Sequence, residues 1–200
     1  MDFSEVVLKR RSIRKFRDDV VPDEVLERVL EAGRWAPSAG NSQPWHFIVV
    51  KSDEAKGKIT EACTRSSKKA WAGFSPERAR YLAERGGTWD KSYMKRVPVL
   101  VAVCYSVPNG MREELALASV WMAVENMLLA ATNEGLGSCV YTVYDDEEEN
   151  VLKEILQVRE QYRITTIIQL GYASTEPATP SRKWLTYDSK PYDANMIRKH

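Results

Sequence analysis

LLAATNEGLGSCVYT, residues 128–142, carries the end of a long apolar helix through Gly135 and Gly137 into a strand. Its order decides the fold class. Glycine ends a helix readily because it takes the left-handed conformation without a Cβ clash. A dinucleotide-binding fingerprint needs the opposite order: a strand, then G-x-G-x-x-G, then a helix. Here the helix comes first and the third glycine is missing. A Rossmann fold is excluded, and the glycines read first as a plain helix stop.

Outward from that turn, Glu113 to Glu134 forms a helix that is apolar on nearly all sides, so it belongs in the middle of the fold. It is interrupted by Ser119, Glu125 and Asn126, and reads as a buried helix rather than a membrane span. Ser138 to Tyr144 follows as a strand. Asp145 or Asp146 caps a helix bearing Val151, Leu152, Ile155 and Leu156, and Arg163 to Leu170 is a further strand. Toward the N-terminus, Ser4 to Arg11 reads as a helix. Pro22 and Asp23 open another that ends near Gly33. Trp45 to Val50 and Val97 to Tyr105 are strands. Asp53 caps a helix toward Cys63, and Ser75-Pro76 starts one that Gly86-Gly87 stops. The resulting class is α+β: about four strands in one sheet with helices packed on them.

Composition narrows the function classes. A net charge of +1 gives no overall field for nucleic acid or an acidic membrane surface. Cys63, Cys104 and Cys139 are odd in number and widely spaced, which argues against a disulfide framework. The two histidines, His46 and His200, cannot supply an ordinary zinc ligand set, and a Ser-His-Asp triad would rest on His46 alone. Chemistry therefore points to a bound cofactor. The N-terminus shows no signal peptide, and a cytoplasmic location is the default expectation.

Three further segments can carry chemistry. RRSIRKF (10–16) is dense in guanidinium groups, which suit a phosphate or the negative charge of a reduced ring. If helix continues through it, Arg10 and Arg14 share one side. Taken alone it reads first as a solvated basic turn. APSAGNSQPW (36–45) is a glycine-bearing loop of small hydroxyl and amide side chains, able to approach a polar ligand edge or simply to join helix and strand. SRK (181–183) lies in a late tail, polar and proline-bearing after Gly171, which cannot hold a core of its own.

In order and spacing, these four segments together resemble the nitroreductase family of FMN-dependent oxidoreductases, from Phe3 to about Leu185. The resemblance implies one FMN-binding domain over 1–200. It implies a mainly antiparallel sheet, and a homodimer in which the 171–200 tail wraps the partner subunit. It places Arg10, Arg11 and Ser12 at the FMN phosphate and ribityl chain, and Arg14 near the flavin N1 and O2 edge as electrostatic support. Pro37, Ser38, Ala39, Asn41 and Gln43 match the loop that reaches the flavin from the other subunit. Tyr141 and Thr142 match the turn whose backbone lies by the ring, and Arg182 with Lys183 the late phosphate contact. No side chain acts as a nucleophile, since the flavin N5 does the chemistry.

The implied activity is ping-pong hydride transfer from NADH or NADPH to a small acceptor: a nitroaromatic, a quinone or an enone. A relative using the same scaffold for reductive dehalogenation or flavin modification would show an added lid over the flavin. The stretch Ser67 to Arg96, which matches none of the family landmarks, is where to look for it. Its aromatics Trp71, Phe74, Tyr81, Trp89 and Tyr93 are candidates for a pocket wall or for ordinary packing. A flavin carrier or sensor without turnover would share every motif, whereas a basic interaction module would bind no flavin.

Overall fold

The computed structural model describes residues 1–84 and 86–175. In chain order these form α1 (Phe3–Lys9), α2 (Asp23–Arg34), a 3-10 turn (Ala39–Asn41), β1 (Trp45–Val50), α3 (Asp53–Ala72) and α4 (Pro76–Ala83). A second 3-10 turn (Ser92–Arg96), β2 (Val99–Tyr105), α5 (Glu113–Asn133), β3 (Gly137–Thr142), α6 (Asp146–Leu156) and β4 (Arg163–Gly171) follow. The four strands form one sheet in the order β1-β2-β4-β3, with every pairing antiparallel. The α+β class and the antiparallel sheet are those expected from the sequence.

β2 and β4 lie in the middle, so both of their faces are covered and they read as near-continuous apolar runs. Alternate residues serve opposite sides. Val99, Val101, Val103, Ile168 and Leu170 face α2 and α5, meeting Val29, Val120, Val124 and Met127. Leu100, Ala102, Cys104 and Ile167 face α3 and α6, meeting Ile59, Cys63 and Leu152. Each fully buried side chain of this kind, such as Leu100, contributes about 1.5–3 kcal/mol of transfer free energy.

Two helix boundaries depart from expectation. α3 is capped by Ser52, whose Oγ accepts from Ala55 N–H, and it runs to Ala72 instead of stopping near Cys63. No proline interrupts 53–72, and the chain first finds a stop at Gly73. α1 ends at Lys9, so RRSIRKF is extended rather than helical. Arg10 and Arg14 thus do not share a helix side.

The extended segment lies across the sheet. Ser12 pairs with Ser138 and Phe16 with Ala173 as isolated bridges. Ile13 N–H donates to the Ser138 carbonyl at 2.8 Å, Arg17 N–H to Tyr172 at 2.8 Å, and Ser174 N–H returns to Lys15 at 3.0 Å. Glycines make this approach possible: a Cβ on Gly137 would stand 2.9 Å from Ile13 Cβ, and one on Gly171 would stand 2.7 Å from Pro98 Cδ and 3.1 Å from the Phe16 ring. The tail assigned to a partner subunit, and with it Arg182 and Lys183, lies outside the described residues apart from 171–175.

Because the proline ring cannot swing aside, Gly171→Ala is expected to destabilise the fold by about 1–3 kcal/mol through overpacking. Urea unfolding checks this, and an unchanged midpoint would contradict the close approach.

Candidate functional site

The extended segment sets out its guanidinium groups separately. Arg10 caps α1 and stands 3.6 Å from Glu125 of α5. Arg11 Nη1 donates to the carbonyls of Leu8 at 2.5 Å and Arg10 at 2.6 Å. Arg14 has one long hydrogen bond, to the Ser12 carbonyl at 3.5 Å, and no carboxylate pairs with it among the described residues. Its positive field reaches inward: it opposes the charge on Lys91 and favours the ionised forms of Cys139 and Tyr93. Burial still dominates both of those groups, raising the Cys139 thiol and pushing Tyr93 up to about 12.

The stretch after α3 closes against Arg14. Gly86, Thr88 and Tyr93 share one cleft with Arg14, Lys15 and Phe16. A methyl group on Gly86 would sit 4.0 Å from Arg14 Nη1. Lys91 is buried here, donates to the Thr88 carbonyl, and lies 5.8 Å from the centre of the Tyr141 ring. Burial first, then Arg14, lowers its pKa. Of the aromatics singled out in sequence, Tyr93 lines this cleft. Trp71 and Phe74 pack on each other at 5.7 Å, Trp89 is exposed beneath Lys68, and Tyr81 is exposed on α4.

Tyr141 and Thr142 end β3, but their side chains go different ways. Thr142 is exposed. Tyr141 is buried, its hydroxyl 2.6 Å from Glu148 Oε1 and 3.0 Å from the Cys63 carbonyl. Glu148 Oε2 accepts the Tyr144 N–H at 2.8 Å, while Asp145 Oδ1 accepts the Glu148 N–H at 2.9 Å. The start of α6 therefore pins the chain just beyond the strand. One hydroxyl proton cannot fully satisfy two acceptors. A protonated Glu148 donating to Tyr141, with Tyr141 donating to Cys63, satisfies both. Burial raises the Glu148 carboxyl in the same direction. Sequence reading missed Glu148 and Lys91, since DDEEEN reads as a solvated helix start and Lys91 sits among charged neighbours.

The loop Pro37–Gln43 is tightly self-bonded. Ala39 N–H donates to Ser119 Oγ at 3.1 Å, Gln43 N–H to Ser38 Oγ at 3.0 Å, and Gln43 Nε2 to Asn41 Oδ1 at 3.0 Å. Gly40, Asn41 and Gln43 all have left-handed backbone, at φ of 58°, 54° and 45°. For Asn41 and Gln43 that conformation costs roughly 1–3 kcal/mol each, strain of the kind that collects at ligand sites. Pro37, Asn41 and Gln43 are exposed. The clefts lined by Arg11 and by Arg14 include no residue of this loop. One chain thus brings the basic segment, β3 and the Ser67–Arg96 excursion together, and leaves the loop apart.

This donor set fits FMN. Guanidinium groups meet a phosphate, Ser12 and the strained loop offer small donors, and the buried Ser138 Oγ beside the Ser12 bridge has no hydrogen-bond partner.

Comparison with known proteins agrees with the geometry. The model of the nitroreductase family matches residues 7–172. An iodotyrosine deiodinase of Thermotoga neapolitana is 32% identical over 180 residues, covering 90% of this chain and 91% of that protein. A Methanothermobacter thermautotrophicus protein, provisionally named an NADH dehydrogenase/NAD(P)H nitroreductase, is 32% identical over 186 residues, 90% of this chain and 81% of its own. The crystal structure of an oxidised iodotyrosine deiodinase bound to FMN and 3-iodo-L-tyrosine superposes with a TM-score of 0.80 at 29% identity, over 90% of this chain and 94% of that one.

The raised Glu148 pKa has a testable sign. Stability from the protonated form is fully present below the ordinary carboxylate range and is lost as pH rises through the raised folded value. Glu148→Gln keeps the acceptor for Tyr144 and a donor for Tyr141. Its melting temperature should equal that of the wild type near pH 4 and exceed it near pH 8, the span chosen to bracket an ordinary carboxylate pKa of about 4.3. A pH-independent difference would contradict the assignment.

Proposed function

The chain belongs to the nitroreductase family, and from that membership we propose that it is an FMN-dependent reductive dehalogenase acting on a halogenated phenolic amino acid of the iodotyrosine kind. The observation that carries the reading is the stretch between α3 and β2, whose Gly86, Thr88 and Tyr93 share one cleft with Arg14. Arg14 matches the position beside the flavin N1 and O2 edge. A cover at that place belongs with the dehalogenase alternative. The deiodinase names of the Thermotoga neapolitana relative and of the FMN-bound neighbour point the same way.

FMN, when bound, takes up and returns the reducing equivalents. Arg10, Arg11 and Ser12 hold its phosphate and ribityl chain, with Arg182 and Lys183 assigned there by resemblance. Arg14 favours negative charge at the ring edge. Pro37, Ser38, Ala39, Asn41 and Gln43 reach it from a second copy, and Tyr141 and Thr142 present backbone to the ring. The homodimer is supported by apolar side chains left in solvent on one chain, among them Phe3 and Leu8 of α1, Trp35, and Leu115 and Met122 of α5.

The cover also suits a zwitterion. An amino-acid substrate presents an ammonium and a carboxylate that must both leave water, so each needs a counter-charge. Glu77 and Tyr81 lie four residues apart on α4 and share a face. The Glu77 carboxyl is held below its usual range by backbone N–H and Ser75 at the helix start, so it is ionised at neutral pH. In the overall reaction a C–I bond breaks and a C–H bond forms. An electron pair and a proton are consumed, and iodide leaves.

NAD(P)H-driven reduction of a nitroaromatic, quinone or enone is the second reading. It is favoured by the name of the Methanothermobacter thermautotrophicus relative.

FMN-loaded protein reduced with dithionite should release iodide from 3-iodo-L-tyrosine. Glu77→Gln should raise KM about tenfold, with the bound-flavin spectrum unchanged. No iodide alongside fast NAD(P)H-driven nitroaromatic reduction would replace the first reading with the second. Bound flavin with neither activity would leave a carrier.

A further inference from the structure

β3 stands at an edge of the sheet, with β4 as its ladder neighbour among the described residues. Its two ends are held differently. At the first, the Ser12 bridge to Ser138 covers the open edge. At the second, the ladder stops at the Thr142–Thr166 pair, and the next bond, from Val143 N–H to the Thr165 carbonyl, is long at 3.3 Å. Strand ends held by so few bonds fray readily. Yet this is the stretch whose backbone is assigned to the flavin ring.

Glu148 supplies what the ladder lacks there. It is 1% exposed, and each of its oxygens has its own partner. Oε1 lies 2.6 Å from the Tyr141 hydroxyl, and Oε2 accepts the Tyr144 N–H at 2.8 Å. Those partners flank Thr142 and Val143, so one carboxyl clasps the chain on both sides of them. The clasp is itself anchored. The Tyr141 hydroxyl lies 3.0 Å from the Cys63 carbonyl of α3, and the Tyr141 carbonyl accepts from Thr166 Oγ1 at 2.8 Å. Asp145 Oδ1 accepts the Glu148 N–H at 2.9 Å, and the Tyr144 ring meets the Tyr141 ring edge-on at 5.8 Å. Three elements, α3, β3 and α6, thus meet at one side chain. Burying a carboxyl is costly, and an apolar side chain of similar size would pack there without that cost. What the carboxyl adds is direction: two bonds of fixed geometry to two points of one short segment.

We propose that Glu148 is a positioning residue of the cofactor site, fixing the backbone of Thr142 and Val143, through Tyr141 and Tyr144, in the arrangement that receives the flavin ring. The proposal rests on the reading of the chain as an FMN protein, whichever acceptor it reduces. Glu148 is enclosed by the fold and acts through the peptide groups it holds. A displacement of about 1 Å in such a frame is enough to weaken a preorganised site.

The test uses the FMN-loaded full chain, diluted serially, with the fluorescence of released flavin giving the affinity and the visible band giving the ring environment. Glu148→Leu fills the space without hydrogen bonds, and Glu148→Gln keeps an acceptor for Tyr144 and a donor for Tyr141. Leu152→Val, at a fully buried position of the same helix, is the packing control. Glu148→Leu should lose about tenfold or more in FMN affinity and shift the bound-flavin band. Glu148→Gln should restore both. Leu152→Val should lower the melting temperature and leave both unchanged. Affinity and band equal to the wild type in Glu148→Leu overturn the proposal. An equal loss in Leu152→Val also overturns it, because Glu148 would then support the fold alone. If Glu148→Leu does not fold, Tyr141→Phe, which removes only the hydroxyl, takes its place with the same expected loss and the same overturning result. A wild type that binds no FMN overturns the FMN reading and the proposal together.

Discussion

The backbone of Ser12 to Arg17, hydrogen-bonded across the ends of β3 and β4, is the constraint on which the rest of the structure depends. It is possible because Gly137 and Gly171 leave room for Ile13, Pro98 and Phe16. It converts a flexible run of positive charge into a fixed one. Arg14 is held where its field acts on Lys91, Tyr93 and Cys139, and the cover between α3 and β2 closes on it. Without those bridges, the same guanidinium groups would be a solvated basic turn, with little preference for any ligand geometry.

A fixed cation row is half of a binding site. The other half in the proposed reading, the Pro37–Gln43 loop, is tied to Ser119 and to itself, with left-handed backbone at Gly40, Asn41 and Gln43. Yet it does not line the clefts of Arg11 or Arg14 in its own chain. Strain maintained in an exposed loop, together with apolar side chains exposed on α1 and α5, is explained most simply by a second copy that uses both. The proposed dimer is thus supported by two incomplete surfaces as well as by the resemblance.

Much of this was legible in the sequence, for physical reasons. β1 was read at its observed bounds, and β2, β3 and β4 within a few residues, because short apolar runs between turn residues mark strands both at the edges, as β1 and β3 are, and in the buried middle, as β2 and β4 are. Gly135, with φ of 78°, marks the helix stop as expected. α1 was read too far because Arg10 and Arg11 are good helix formers. What ends the helix is the pairing of Ser12 with Ser138, a contact across more than half the chain. Lys91 and Glu148 were not legible as site residues, because nothing local distinguishes a buried lysine or glutamate from a solvated one. Tyr141 of β3, which bonds Glu148 and lies beside Lys91, is brought to both by the fold. Arg182 and Lys183 rest on the resemblance alone.

In the proposed dimer each cofactor site joins the basic segment of one chain to the loop of another. Complementation in mixed dimers tests it most directly. One variant carries Arg11→Glu and Arg14→Glu, the other Ala39→Asp and Asn41→Asp, and each alone should stay colourless with excess FMN. Co-expressed with different tags and purified through both, the mixed dimer contains one unaltered pairing and should bind FMN at one of its two sites. A mixed dimer that remains colourless, or a wild-type monomer that binds FMN without dimerising, would contradict the account.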